Sequence, residues 1–142
     1  MSQYTEQKTQ ITDAEILKDC LKEKGYETVE QHATPQPLVD FCGKQTKYLD
    51  PTGDKAELII RRKFVGGAAN DIGFKKGADG TFGAVISQFD KHKHNAAWMA
   101  DLKKRYARKK IMKSAKQAGL IFVGEKATKT GGYKLQFVKA RT

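Results

Sequence analysis

The basic residues between positions 103 and 116 are the most informative group of side chains in this sequence. No acidic residue interrupts the group, which consists of Lys103, Lys104, Arg105, Arg108, Lys109, Lys110, Lys113 and Lys116. An exposed helix that only has to stay soluble normally mixes charges, because Glu and Lys four residues apart stabilise it. Like charges repel each other, so this basic run indicates a polyanionic partner outside the chain.

The charge of the whole chain favours the same interpretation. The formal net charge is +11, and residues 103–142 hold 13 basic residues against one acid, Glu125. Arg61 and Arg62 would extend the basic surface if their strand adjoined the helix. We therefore expect these basic residues to bind the backbone of RNA or DNA. The alternative is a protein-binding adaptor or inhibitor, such as a phage accessory, that docks on an acidic protein surface, and no named nucleic-acid-binding motif decides between the two.

Side chains typical of metal sites do not form a complete set. His92 and His94 could meet one metal ion, but zinc needs a third or fourth ligand and the neighbouring lysines disfavour a cation. We interpret both histidines as part of a solvated loop, and the sequence predicts no metal and no cofactor. Cys20 and Cys42 are expected to be small buried residues in a reducing compartment. Since no run is long and apolar enough to cross a membrane, we expect the protein in the cytoplasm.

The glycine-rich stretch at residues 66–86, GGAANDIGFKKGADGTFGAVI, could hold a phosphate only if a helix followed its glycines. Apolar residues instead alternate on both sides of Asp79-Gly80, which is a preferred hairpin turn. Asn70 and Asp71 begin the first strand, and we interpret their side chains as bonding to the local backbone. We expect no catalytic residues and a non-enzymatic protein, with catalysis around Asn70 and Asp71 as a minor alternative.

Two helices should position the charged groups. The first is predicted from about Asp13 to Lys24, with Thr12 and Glu15 as a capping box and Gly25 as its stop. The second should begin after Asn95 and stop at Gly119. Spacing at 100° per residue predicts an apolar half with the basic residues opposite. That half comprises Met99, Tyr106, Ala107, Ile111, Ser114 and Ala118, with Trp98 and Leu102 outside it.

The remaining segments predict strands. Alternating or β-branched residues favour strands near residues 4–10, 26–33, 58–65, 72–76, 82–86, 121–126 and 133–138. Pro35 and Pro37 should interrupt regular structure, residues 33–57 stay unassigned, and Gly131-Gly132 should form the last turn. The short connections after residue 58 predict an α+β two-layer sandwich in one domain, residues 1–142. Its mostly antiparallel sheet would have about five or six strands, with two helices on one face.

Two motifs together resemble a known family. They are NDIGF, which contains Asn70, Asp71, Gly73 and Phe74, and YARKKIMKSAKQAGLIFV at residues 106–123. Both are similar to the hypothetical chloroplast frame thirty-five family, an uncharacterised domain of cyanobacteria, plastids and some phages. The segment KTQITDAEILKDCLKEKGYE also looks like the opening helix of that family. The resemblance implies a shared fold and no particular activity.

Overall fold

The main sheet consists of five antiparallel strands. The computed structural model describes residues 4–130 and 133–139. The strands are β1 (Tyr4–Lys8), β2 (Glu30–Pro37), β3 (Lys55–Ile60), β4 (Ile72–Lys76) and β5 (Phe82–Ser87), in the spatial order β1-β5-β4-β3-β2. The predicted hairpin is confirmed, because β4 and β5 pair directly with Phe74 opposite Ala84. Gly80 has φ +85°, the left-handed conformation that the turn requires.

Helices and a second sheet complete the fold. The helices are α1 (Ala14–Glu23), α2 (Arg62–Val65) and α3 (Ala96–Gln117), with a 3-10 helix at Gln88–His92 before α3. β6 (Leu120–Ala127) and β7 (Tyr133–Lys139) pair with each other as a separate two-stranded sheet. The predicted α+β class is confirmed, although the C-terminal strands form their own sheet. The predicted Gly131-Gly132 turn lies outside the described residues.

One face of the main sheet holds the larger core. Alternate residues of β3, β4 and β5 point to this face, and the apolar sides of α1 and α3 cover them. The largest contributors include Leu58, Ile60, Ile72, Phe74, Ile86, Leu17, Leu21, Met99 and Leu102. The two main helices therefore share one face of the sheet, as predicted. Among the described residues, no helix combines the length and the apolar character needed to cross a membrane.

The loop at residues 38–54, which the sequence left unassigned, lies over the opposite face. Leu38 joins Ile59 and Val85 in a smaller buried cluster there. The loop is held by the buried carboxylate of Asp54, which accepts a bond of 2.6 Å from the Thr46 hydroxyl. It also accepts bonds from the backbone N–H groups of residues 48, 49 and 50. These bonds satisfy buried backbone donors that would otherwise be costly.

The first helix begins one residue later than the capping-box prediction. Asp13 is the N-cap, since its Oδ1 accepts the Ile16 N–H at 3.1 Å. Thr12 precedes this cap, and its N–H and that of Asp13 both donate to the hydroxyl of Tyr106. A long-range contact with α3 thus holds the start of α1.

Two other predictions are wrong, and a third is confirmed only in part. Pro35 and Pro37 lie within β2, an edge strand where a missing N–H is tolerated, but the pairing of β2 with β3 shifts register between Gln31 and Gln36. The strand expected over residues 58–65 ends at Ile60, because the next residues form α2. Cys42 is exposed in a turn, whereas Cys20 is buried as expected. Burial raises the pKa of the Cys20 thiol to about 11, which suits an inert core residue.

Candidate functional site

The basic run lies on α3, whose first half is anchored in the core. Asn95 caps the helix as predicted, because its Oδ1 accepts the Trp98 N–H at 3.1 Å. Met99, Leu102 and Tyr106 are then buried against the sheet and α1. The second half of α3, after these buried residues, is more exposed.

The predicted apolar face of α3 is confirmed for Met99 and Tyr106, which are buried, and is wrong for the other residues. Leu102, which was expected outside the apolar stripe, is completely buried. Four members of the predicted apolar half are exposed: Ala107, Ile111, Ser114 and Ala118. The physical reason is that the later turns of α3 meet α1 through charged side chains, so helical periodicity of apolar residues does not mark the contact.

Four members of the basic run bond to acidic side chains of the protein itself. The pairs are Arg105 with Asp101 (2.8 Å) and Glu23 (3.5 Å), Lys109 with Glu23 (2.7 Å), Lys113 with Asp13 (2.9 Å) and Arg108 with Glu125 (3.0 Å). The bond from Lys109 holds the pKa of Glu23 below its usual value. The bond to Asp101 raises the pKa of Arg105. The repulsion evident in the sequence is therefore partly offset within the fold.

The other basic residues of this region point into solvent. Lys103, Lys104, Lys110 and Lys116 are exposed on α3. The C-terminal strands and the loop between them add Lys126, Lys129, Lys134 and Lys139, also exposed. Within residues 4–130 and 133–139, none of the ion pairs involves Lys103, Lys110, Lys116 or the four lysines of the C-terminal strands and their loop. These side chains carry the charge that an external polyanion could meet.

Arg61 and Arg62 stand away from the basic run. The Arg61 guanidinium donates to Glu30 Oε2 at 2.8 Å and to Asp71 Oδ2 at 2.9 Å, and these bonds raise its pKa. The Arg62 N–H donates to Asp71 Oδ1 at 2.7 Å. Both lie where β3 ends, whereas Lys113 contacts the segment before α1 at the other end of the sheet. The structure therefore does not bring them together with the α3 lysines.

Asn70 of the NDIGF motif joins three separate segments. Its Oδ1 accepts the Phe41 N–H at 2.9 Å, and its Nδ2 donates to the Ser87 hydroxyl at 2.8 Å. Its own N–H donates to Asp90 Oδ2 at 3.1 Å. Asn70, Ser87 and Asp90 are all buried. The side chain thus fixes the 38–54 loop and the 3-10 helix against the start of β4.

Asp71, the next residue of the motif, forms further hydrogen bonds that hold the same loop. Its fully buried carboxylate accepts the Val39 N–H at 2.8 Å as well as the bonds from Arg61 and Arg62. Tyr4 donates to the Asp71 carbonyl at 2.7 Å, and burial raises the pKa of that tyrosine. The expectation of purely local backbone bonds is wrong, because Val39 is 32 residues away.

Gly73 and Phe74 of the same motif contribute to the packing of the two faces of the sheet. A Cβ at Gly73 would lie 2.7 Å from the Ala56 Cβ and 3.0 Å from a Leu38 methyl group, so only glycine fits beneath the loop. Phe74 is fully buried on the opposite face, in the core beneath the helices. The motif is accounted for by the fold, and no part of it faces the exposed lysines.

A buried polar cluster that the sequence did not reveal holds the start of α3. The expectation of a solvated His94 is wrong, since only 5% of the residue is exposed. Its Nδ1 bonds to the Asp90 carbonyl at 3.2 Å and its Nε2 to the Tyr26 hydroxyl. Because a carbonyl only accepts, Nδ1 carries the proton and Tyr26 donates to Nε2. Burial lowers the pKa of His94, which favours this neutral form.

The β6–β7 sheet has one face against α3 and one face in solvent. Phe122 and Phe137 pack with their ring centres 5.8 Å apart and line a cavity with Met112 of α3. The other face exposes Ile121, Val123 and Val138, each at about half of its surface (52%, 56% and 48%). Two-stranded sheets are marginally stable alone, and clustered exposed apolar residues often mark contact surfaces.

One family model matches residues 20–136, with the description "Protein of unknown function (DUF1257)". The chain belongs to this family. The matched region runs from α1 into β7, so the NDIGF motif and the basic run both lie inside the family domain. Searches of curated proteins and of solved structures returned no match. The motif residues therefore belong to the shared domain, for which the family description states no function.

Proposed function

We propose that this protein is a non-enzymatic module that binds the phosphate backbone of RNA or DNA. The observation that carries this proposal is a set of exposed lysines, at positions 103, 110 and 116 of α3 and on the C-terminal strands, that have no internal ion pair among the described residues. Since acids offset Arg105, Arg108, Lys109 and Lys113 inside the fold, we assign binding chiefly to Lys103, Lys110 and Lys116. Phosphate contacts by such side chains give affinity that falls steeply with salt.

The experiment is a fluorescence-anisotropy titration of labelled RNA and DNA at 50 and 200 mM salt. The test variant replaces Lys103, Lys110 and Lys116 with glutamate and should abolish measurable binding at 200 mM salt. These exposed positions avoid the internal ion pairs, so the fold should survive. Failure of the unaltered protein to bind any nucleic acid at 50 mM salt would refute the proposal.

A matched control separates a specific surface from overall charge. Lys44 and Lys47 are exposed on the loop that covers the other face of the sheet, and Lys55 is exposed at the start of β3. Replacing these three with glutamate changes the net charge by the same amount. The control variant should lose far less affinity than the α3 variant, and equal losses would contradict the assignment to α3.

The apolar outer face of β6–β7 favours a second candidate, docking on an acidic protein as an adaptor or inhibitor. The lysines beside Ile121, Val123 and Val138 would repel a second copy of this chain and attract acidic side chains. A partner captured from nuclease-treated extract by the unaltered protein, and lost with Val123→Asp, would support this candidate. Loss of every partner after nuclease treatment would exclude it.

We also propose a narrower family assignment and a cellular compartment. The two motifs at residues 70–74 and 106–123 support membership of the hypothetical chloroplast frame thirty-five family, with cyanobacteria, plastids or phages as sources. Free thiols at Cys20 and Cys42, the second of them exposed, suit a reducing cytoplasm. Measuring the thiol content of protein isolated from its native cells tests the compartment, because a disulfide would argue against it.

A further inference from the structure

A groove runs beside α3, between that helix and the segment that links β1 to α1. Its volume is about 600 Å³, which falls within the range of small-ligand sites of roughly 300–1,000 Å³. Ile11 lines one wall, and Ala107 and Ile111 line the other. Ile111 leaves 48% of its surface exposed, although it occupies a helix whose other large apolar residues are mostly covered. Ile11 is itself buried, so the exposed side chains of Ala107 and Ile111 form the apolar floor that is open to solvent.

Hydrogen-bonding groups also line the groove, beside this apolar floor. The Tyr106 hydroxyl, at the groove, accepts the N–H groups of Thr12 at 3.1 Å and Asp13 at 2.9 Å. The Thr12 side chain is a further hydrogen-bond partner of this hydroxyl, so Tyr106 is engaged within the protein. On the opposite wall the Thr9 hydroxyl bonds to the Phe82 carbonyl and the Ile11 N–H, whereas the Gln10 side chain is exposed. The groove can therefore take a flat, partly apolar ligand, with Gln10 as a hydrogen-bonding group at its edge.

Two cations flank the apolar floor. Lys103 and Lys110 line the groove, are exposed, and have no ion pair among the described residues. They lie seven residues apart, which is about 10 Å along a helix, on the same side of α3. Flexible lysine side chains at that spacing can meet two phosphates on either side of one bound group. The groove thus combines an apolar floor with two phosphate-binding positions.

We propose that this groove takes an unstacked base of single-stranded nucleic acid, with Lys103 and Lys110 on the flanking phosphates. The proposal rests on the function proposed above and narrows its substrate to single strands. A duplex cannot offer a base face to the floor, because its bases are paired and stacked. Contact between a base and an apolar surface is also tolerant of sequence, since every base has a flat face.

The test compares three labelled probes of equal length on the full chain at 100 mM salt. They are a single-stranded DNA of 20 thymidines, the same backbone carrying abasic sites throughout, and a 20-base-pair duplex. Single strand and abasic strand share their phosphates and differ only in the bases. The thymidine strand should bind at least about five-fold more tightly than the abasic strand.

Ile111→Ser removes the apolar floor without changing charge. It should bring the affinity for the thymidine strand down to that for the abasic strand. Val123→Ser is the matched control, because it removes a similarly exposed apolar side chain from the β6–β7 sheet, and it should leave both affinities unchanged. Thermal unfolding of both variants verifies that they fold like the unaltered protein.

The outcomes separate the two proposals. If no probe binds even at 50 mM salt, the proposed nucleic-acid function fails and the base site fails with it. If thymidine and abasic strands bind equally, or if Ile111→Ser weakens both to the same degree, the base site is refuted while backbone binding stands. Displacement of the thymidine strand by an acidic peptide that Ile111→Ser no longer binds would assign the groove to a protein segment and overturn the base site.

Discussion

Replacing Asp71 with asparagine should destabilise the fold by about 3 kcal/mol. The carboxylate is completely buried and accepts three bonds, from the N–H groups of Val39 (2.8 Å) and Arg62 (2.7 Å) and from Arg61 (2.9 Å). Asparagine has one acceptor oxygen, so its amide group must face at least one of these donors. The neutral amide of the variant also no longer compensates the positive charge of Arg61.

The magnitude follows from these lost contacts. Hydrogen bonds to charged groups contribute about 1.5–3 kcal/mol each, and breaking a buried ion pair costs about 3–5 kcal/mol. We take the lower end because 27% of the Arg61 side chain is exposed and Glu30 remains as its partner. A loss of about 3 kcal/mol is large beside a typical total of 5–15 kcal/mol for a domain.

Urea unfolding followed by circular dichroism measures the effect as a shift in midpoint at constant slope. Asp19→Asn, at an exposed position on α1, makes the same chemical change and should cost less than about 0.5 kcal/mol. A loss below about 1 kcal/mol for Asp71→Asn would refute the reasoning, because it would mean that the carboxylate is solvated. At a temperature where Asp71→Asn stays folded, its affinity for nucleic acid should equal that of the unaltered protein, and a selective loss of binding would contradict a purely structural role for the motif.

Three further predictions test the packing and the buried cluster. Gly73→Ala should lower stability by about 1–3 kcal/mol in thermal unfolding, since the new Cβ would lie 2.7 Å from a side-chain carbon, and an unchanged midpoint would contradict the close packing. Leu102→Ala should lower the free energy of unfolding by about 2–5 kcal/mol and Ile111→Ala by less than about 1 kcal/mol, as measured by urea unfolding. The reverse order would support the apolar face of α3 that the sequence predicts. The free energy of unfolding should fall as the pH drops from 7 toward 5, because the unfolded chain protonates its histidine near pH 6.5 while the fold keeps His94 neutral. His94→Gln should remove that part of the pH dependence and His92→Gln should retain it, as measured by unfolding at each pH.

Local signals in the sequence were sufficient where neighbouring residues determine the structure. The β4–β5 hairpin follows from alternating apolar residues around Asp79-Gly80, and the start of α3 follows from Asn95 as a cap. The paired C-terminal strands follow in the same way, although they form a sheet of their own. In each case the interacting groups belong to the same element or to consecutive elements of the chain, so local spacing carries the information.

Distant contacts explain what the sequence did not disclose. Arg62 begins a helix instead of extending β3, because the carboxylate of Asp71 caps its N–H. The 38–54 loop takes its shape from the buried carboxylate of Asp54 and covers a face of the sheet without apolar periodicity. His94 is buried because Tyr26, 68 residues earlier, supplies its hydrogen-bond partner. A histidine between Lys93 and Asn95 gives no local sign of such a partner.

The sequence predicted that the basic run lies on a helix, but it overestimated the charge that the fold leaves unpaired there. The basic run has no acid within it, yet Lys113 meets Asp13, which is 100 residues away, and Glu23 meets both Lys109 and Arg105. Helix packing brought these acids to one side of α3, and no property of residues 103–116 could reveal them. The sequence therefore identified the helix on which the hypothesis rests and could not say which of its lysines lack internal ion pairs.

The salt dependence of binding can count the available lysines. The logarithm of affinity should fall against the logarithm of salt by about 0.7 for each phosphate neutralised on a single strand. Contact by the three lysines at 103, 110 and 116 alone gives a slope near −2, and adding the four exposed lysines of the C-terminal strands and their loop gives a slope near −5. A steeper slope would require the internal ion pairs of Arg105, Arg108, Lys109 and Lys113 to open on binding. Because those pairs connect α3 to α1 and to β6, such a slope would mean that binding loosens the contacts around α3, and hydrogen exchange in α1 should then rise in the complex.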